Sequence, residues 1–230
     1  MPLYLFVNFK TYEQGTGQNA VSLSKLLSSF YTGEVEIIPV VQASDLHPVA
    51  LACQLKLFAQ HIDPVKYGSN TGKILPEGVK AAGAFGTILN HAEHKLTDSI
   101  IEASMKRCRE AGLKVMLCAE TLERAKILAK FSPDFIAVEP PELIGGAVSV
   151  SSAKPELISD SVKAIAKINP KIIPITGAGI KNSDDVSKAI ELGTKGVFVA
   201  SGIVSAQDQE HAIRQMLLGF PSGRDAGKMP

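Results

Sequence analysis

Residues 172–180 read Ile172-Ile173-Pro174-Ile175-Thr176-Gly177-Ala178-Gly179-Ile180. The β-branched run is too short for a helix and reads as a strand covered on both faces. The small residues that follow let backbone N–H groups come close to an anion. Further on, Gly196-Val197-Phe198-Val199 runs into Ala200-Ser201-Gly202-Ile203 and repeats the device.

Working outward, the rest of the chain alternates in the same way. Strands are expected at Leu3 to Val7, Val35 to Val41, Leu57 to His61, Ala84 to Leu89, Leu113 to Cys118, Phe135 to Val138, Ile172 to Ile175 and Gly196 to Val199. Helices are expected at Asn19 to Phe30, Asp45 to Gln54, Pro76 to Ala82, Thr97 to Ala111, Leu122 to Phe131, Pro155 to Ile168, Ser183 to Leu192 and Gln207 to Leu218. Thr97, Pro155 and Asn182 supply helix-start chemistry. Strict alternation fits an open doubly wound sheet as well as a closed barrel. Phosphate groups in barrels are commonly held at the ends of strands 7 and 8, and that is where the two glycine-bearing segments fall. The expectation is α/β, a single (β/α)8 barrel over residues 1–220 with a frayed tail at 221–230.

Composition excludes several classes. The 230 residues carry 24 basic and 23 acidic side chains, a formal net charge of +1 with no long run of either sign, so no nucleic-acid partner is expected. Cys53, Cys108 and Cys118 form neither a CxxC pair nor an even set, which argues against disulfides and zinc and for reduced, intracellular thiols. The start, Met1 to Val7, lacks the pattern of a signal peptide, and no segment approaches membrane-spanning length, so no membrane partner is expected.

Barrel active sites are built from strand C-terminal ends. The first strand ends in Asn8-Phe9-Lys10, and in an extended segment Asn8 and Lys10 would point the same way. The fourth runs into Asn90-His91-Ala92-Glu93-His94, where His91 is nearest the strand end and His94 reads as a surface residue. The sixth ends Val138-Glu139-Pro140-Pro141. A carboxylate directly after a buried run is poorly explained by packing, which makes Glu139 a candidate general base. The segment Glu142 to Ser151, with paired glycines behind two prolines, reads as a lid.

Taken together and in order, Asn8-Phe9-Lys10, Asn90-His91-Ala92-Glu93, Val138-Glu139-Pro140, Gly177-Ala178-Gly179 and Ala200-Ser201-Gly202 resemble the triosephosphate isomerase family, in its shorter, archaeal-type branch. The resemblance runs across essentially the whole barrel. It implies a TIM barrel without cofactor or metal that interconverts dihydroxyacetone phosphate and D-glyceraldehyde 3-phosphate through an enediol(ate), in glycolysis and gluconeogenesis. It casts Glu139 as base, neutral His91 as the electrophile at the carbonyl oxygen, Lys10 as stabiliser of the developing charge, and Asn8 and Glu93 in support. It assigns substrate and phosphate contacts to Asn8, Phe9, Lys10, Ile144, Gly145, Gly179, Ala200 and Ser201. It also implies a homodimer or homotetramer in the cytoplasm. Three positions depart from the family pattern. Ala92 replaces the usual serine, Ile-Gly-Gly-Ala-Val-Ser replaces the usual lid sequence, and Asn70 in Tyr67 to Gly72 replaces an aromatic residue of the loop that reaches the neighbouring subunit.

Overall fold

The computed structural model describes residues 2–140 and 155–221. Eight parallel strands form a closed ring in chain order: β1 (Leu3–Asn8), β2 (Val35–Val41), β3 (Leu57–Ala59), β4 (Ala84–Leu89), β5 (Lys114–Ala119), β6 (Phe135–Val138), β7 (Ile173–Thr176) and β8 (Gly196–Val199). The ring closes where β8 lies beside β1, with Leu5 opposite Val197 and Val7 opposite Val199. Around it stand α1 (Gln18–Ser29), α2 (Leu46–Ala52), α3 (Pro76–Ala81), α4 (Asp98–Glu110), α5 (Leu122–Ala129), α6 (Pro155–Ile168), α7 (Ser183–Glu191), the short α8 (Ser201–Val204) and α9 (Gln209–Leu218). Among the described residues, no helix is long and apolar enough to cross a membrane.

Two cores hold this together. The larger lies between strands and helices and takes Leu5, Val7, Leu117 and Val199 from outward-facing strand positions. The second fills the barrel and takes the alternate positions, including Phe6, Phe58, Phe135 and Phe198. Phe6 meets Phe58 and Phe135 edge to face, with centroids 5.3 and 5.2 Å apart. Gly86 makes room for this packing, since a Cβ there would come within 2.5 Å of the Phe58 ring. Truncating a fully buried ring such as Phe6 would cost about 3–5 kcal/mol.

All eight expected strands are present; β2, β4, β6 and β8 have the expected bounds, and the other four have shifted ends. β3 stops at Ala59 rather than His61, after a register irregularity at Leu57/Phe58. β5 and β7 sit one residue later than expected. α2 ends at Ala52, where Cys53 turns extended, instead of reaching Gln54. The side chains of Thr97 and Asn182 accept from the amides of Ile100 and Asp185 and cap α4 and α7. Among the described residues two elements went unforeseen, a 3-10 turn at Glu13–Gly15 and α8. The expected lid at 142–151 and the tail residues 222–230 lie outside the described residues, whereas Pro221 is described.

Candidate active site

The C-terminal ends of five strands converge on a cavity of about 590 Å3. Asn8 and Lys10 come from β1, His91 and Glu93 from β4, Glu139 from β6, Gly177 to Lys181 from β7, and Phe198 to Gly202 from β8. A larger, mostly apolar cavity of about 800 Å3 lies outside the barrel beside Phe30, Arg214 and Phe220, away from all of these groups.

Glu139 is the first residue past β6, and its amide donates to the Ala119 carbonyl at 2.8 Å, which fixes the backbone. Its side chain is buried, and Oε2 has no hydrogen-bond partner among the described residues. Burial pushes the carboxyl pKa up to about 7. The neighbouring Cys118 thiol and Lys10 pull it down, while Glu93 and Glu120 add to the rise. A Cβ on Gly177 would sit 2.4 Å from Glu139 Cγ, so this glycine leaves the space that the carboxylate occupies.

His91 presents Nε2 to Glu139 Oε1 at 3.6 Å. On the other side of the ring, the Glu93 amide donates to Nδ1 at 3.2 Å. An Nδ1 that accepts must be unprotonated, so the neutral ring carries its proton on Nε2, toward the cavity. Burial lowers the pKa of His91, Glu93 pushes the other way, and Lys10 adds to the fall. The turn bearing it starts at Asn90, which has φ 61°. Asn tolerates that conformation, and its amide closes the turn by donating to the Cys118 carbonyl at 2.9 Å and accepting from the Leu96 amide at 3.0 Å.

Lys10 Nζ lies 2.7 Å from Glu93 Oε1. The expectation that Asn8 and Lys10 alternate along an extended segment is corrected, because Lys10 has left the strand with φ 47°. The two still reach one cavity because the Asn8 Oδ1 accepts the Lys10 amide at 3.0 Å. Phe9 lies between these two in the chain. Its side chain is wholly buried in the outer core and is not among the residues lining the cavity. Gly179, Ala200 and Ser201 line the wall that follows β7 and β8, where small side chains expose backbone. Ile144 and Gly145 lie outside the described residues. His94 leaves the site and packs its ring on His61, centroids 4.3 Å apart.

A family model for triosephosphate isomerase matches residues 3–216. The chain belongs to the triosephosphate isomerase family. It is 41% identical over 215 residues to the triosephosphate isomerase of Methanosarcina mazei, covering 93% of this chain and 97% of that one. It is 38% identical to that of Methanocaldococcus jannaschii, covering 94% and 99%. The crystal structure of triosephosphate isomerase from Bartonella henselae superposes with a TM-score of 0.76 at 20% identity, over 94% of this chain and 99% of that one, a likeness of fold.

Within this family frame, sequence reasoning missed two residues. Gln60 follows β3, and its Nε2 donates to the Lys10 carbonyl at 2.8 Å. Lys181 lines the cavity beside Gly179 and has no ion pair among the described residues. Neither stood in a recognisable motif. Gln60 follows an apolar run as any polar residue might, and Lys181 reads as a surface charge ahead of a helix.

Proposed function

We propose that this chain interconverts dihydroxyacetone phosphate and D-glyceraldehyde 3-phosphate through an enediol(ate). The observation that carries the reading is a carboxylate and a neutral imidazole side by side at one strand-end cavity, with pKa values pushed up and down respectively by burial. Such a pair suits proton abstraction next to a carbonyl. Glu139 takes the proton from one of two adjacent carbons and returns it to the other. The Nε2–H of His91 donates to the carbonyl oxygen as charge builds there. Lys10, steadied by Glu93, stabilises that charge, and Asn8 helps to fix the substrate.

The phosphate is taken by backbone groups of Gly179, Ala200 and Ser201, with Ile144 and Gly145 assigned by the family pattern. No cofactor enters these steps. The same reading includes a homodimer or homotetramer, a cytoplasmic setting and a place in glycolysis and gluconeogenesis. Tyr67, at 77% exposure on the loop after β3, supports a surface for a second copy.

A coupled assay starting from glyceraldehyde 3-phosphate, run beside Glu139→Gln, tests the proposal. Rapid formation of dihydroxyacetone phosphate, reduced about 10²- to 10⁴-fold in the variant, is the expected result. No turnover by the folded wild-type protein would sink it.

A further inference from the structure

Lys10 is a non-glycine residue at φ 47°, on the left-handed side of backbone space that a side chain disfavours. Strain of this kind persists only where the surroundings hold it. Both halves of the Lys10 backbone are held. The Asn8 carboxamide oxygen accepts from its amide at 3.0 Å, and the Gln60 Nε2 donates to its carbonyl at 2.8 Å. The Gln60 amide group also reaches toward Asn8 Oδ1 at 3.4 Å and the Val40 carbonyl at 3.5 Å. Gln60 is itself tied to the sheet, because its backbone amide donates to the Val41 carbonyl at 3.1 Å. One half-buried side chain from beyond β3 therefore links the residues that carry Lys10 with the neighbouring strand.

We infer that Gln60 is a positioning residue for the reaction, acting through Lys10 by clamping its left-handed backbone so that the ammonium meets the charge forming on the substrate. This rests on the isomerase reading above. Gln60 does not line the cavity and touches no reacting atom. Without its donor, the Lys10 carbonyl loses the bond that opposes relaxation to an ordinary φ. The peptide would then turn and carry Nζ away from both Glu93 and the substrate. Misplacement on the ångström scale costs turnover heavily when a charge must be met in the transition state.

The test is steady-state kinetics on the full chain, with thermal unfolding followed in parallel. Gln60→Leu is expected to lower kcat about ten- to a hundredfold, with a smaller change in KM. Gln60→Asn, which keeps the amide but draws it back, is the second variant and is expected to show the same kcat-weighted loss. The deciding readout is the same substitution in a Lys10→Gly background, assayed at high enzyme concentration. Glycine accepts a positive φ freely and carries no ammonium, so adding Gln60→Leu there should cost less than about twofold. A Gln60→Leu enzyme with unchanged kcat, or an equal loss in both backgrounds, overturns the assignment while leaving the isomerase reading intact. Full activity in Lys10→Gly likewise overturns the assignment, because the ammonium would then carry no part of the reaction, and absence of wild-type turnover overturns both readings.

Discussion

The His91 Nε2 faces the Glu139 carboxylate across 3.6 Å while its Nδ1 accepts the Glu93 amide, so the ring is oriented from behind and its proton is directed at the cavity. A neutral imidazole is a weaker acid than an imidazolium, and it suits an oxygen that is itself only partly charged. Nitrogen NMR of labelled protein should show the Nε2–H tautomer at pH 7. With the pKa below 6.5, any stabilisation linked to His91 is present above pH 6.5 and lost as pH falls. A doubly protonated ring at pH 7 would contradict the arrangement.

Glu139 predicts an opposite pH dependence. Its folded pKa is raised from the ordinary 4.5 to about 7, so its contribution to stability is fully present below pH 4.5 and lost as pH rises to about 7. At about 1.4 kcal/mol per pH unit, the wild type carries a penalty of about 3 kcal/mol at pH 8. Glu139→Gln should therefore be more stable than wild type in urea at pH 8 and similar to it at pH 4. An unchanged difference between the two pH values would show that burial does not hold the carboxyl up.

Gly177→Ala should impair catalysis by a steric route. The new methyl would lie 2.4 Å from Glu139 Cγ and drive the carboxylate from its place. A fall in kcat of about ten- to a hundredfold in a folded protein is the expected outcome. A variant with normal kcat would mean that the base works from some other position.

Lys181 differs from Lys10 in having no carboxylate paired to it among the described residues, and it borders the small-residue side of the cavity. Lys181→Met should raise KM about fivefold, the size of an exposed charge contact of about 1 kcal/mol, and change kcat less. The dependence of kcat/KM on salt should flatten in the variant. If KM and salt dependence both stay put, the ammonium does not meet the phosphate.

Much of the fold was legible because a buried parallel strand and an amphipathic helix leave different periods in the chain. Phe135 to Val138 and Gly196 to Val199 were placed to the residue, since both are continuous apolar runs bounded by polar or small residues. Their closure into a ring was not in the periodicity and came from Gly177 to Gly179 and Ala200 to Gly202. In the site, Glu139 and His91 stood out because a charge or imidazole directly after a buried run is costly without a purpose. Gln60 did not, because its importance lies in one carbonyl contributed by a residue 50 positions earlier. Lys10 misled the simple alternation argument, because a positive φ in lysine has no signature in composition.

The ring order has a consequence for how the protein acquires activity during synthesis. Asn8 stands on the first strand and Ser201 just past the last, yet they border one cavity only because β8 pairs with β1. A nascent chain that has not yet emerged past Ser201 lacks part of the cavity wall, however well its earlier βα units have folded. Turnover is thus a report on the last seam to form. A circularly permuted chain opened at a loop on the opposite side of the ring would bring Asn8 and Ser201 together early and move that seam elsewhere.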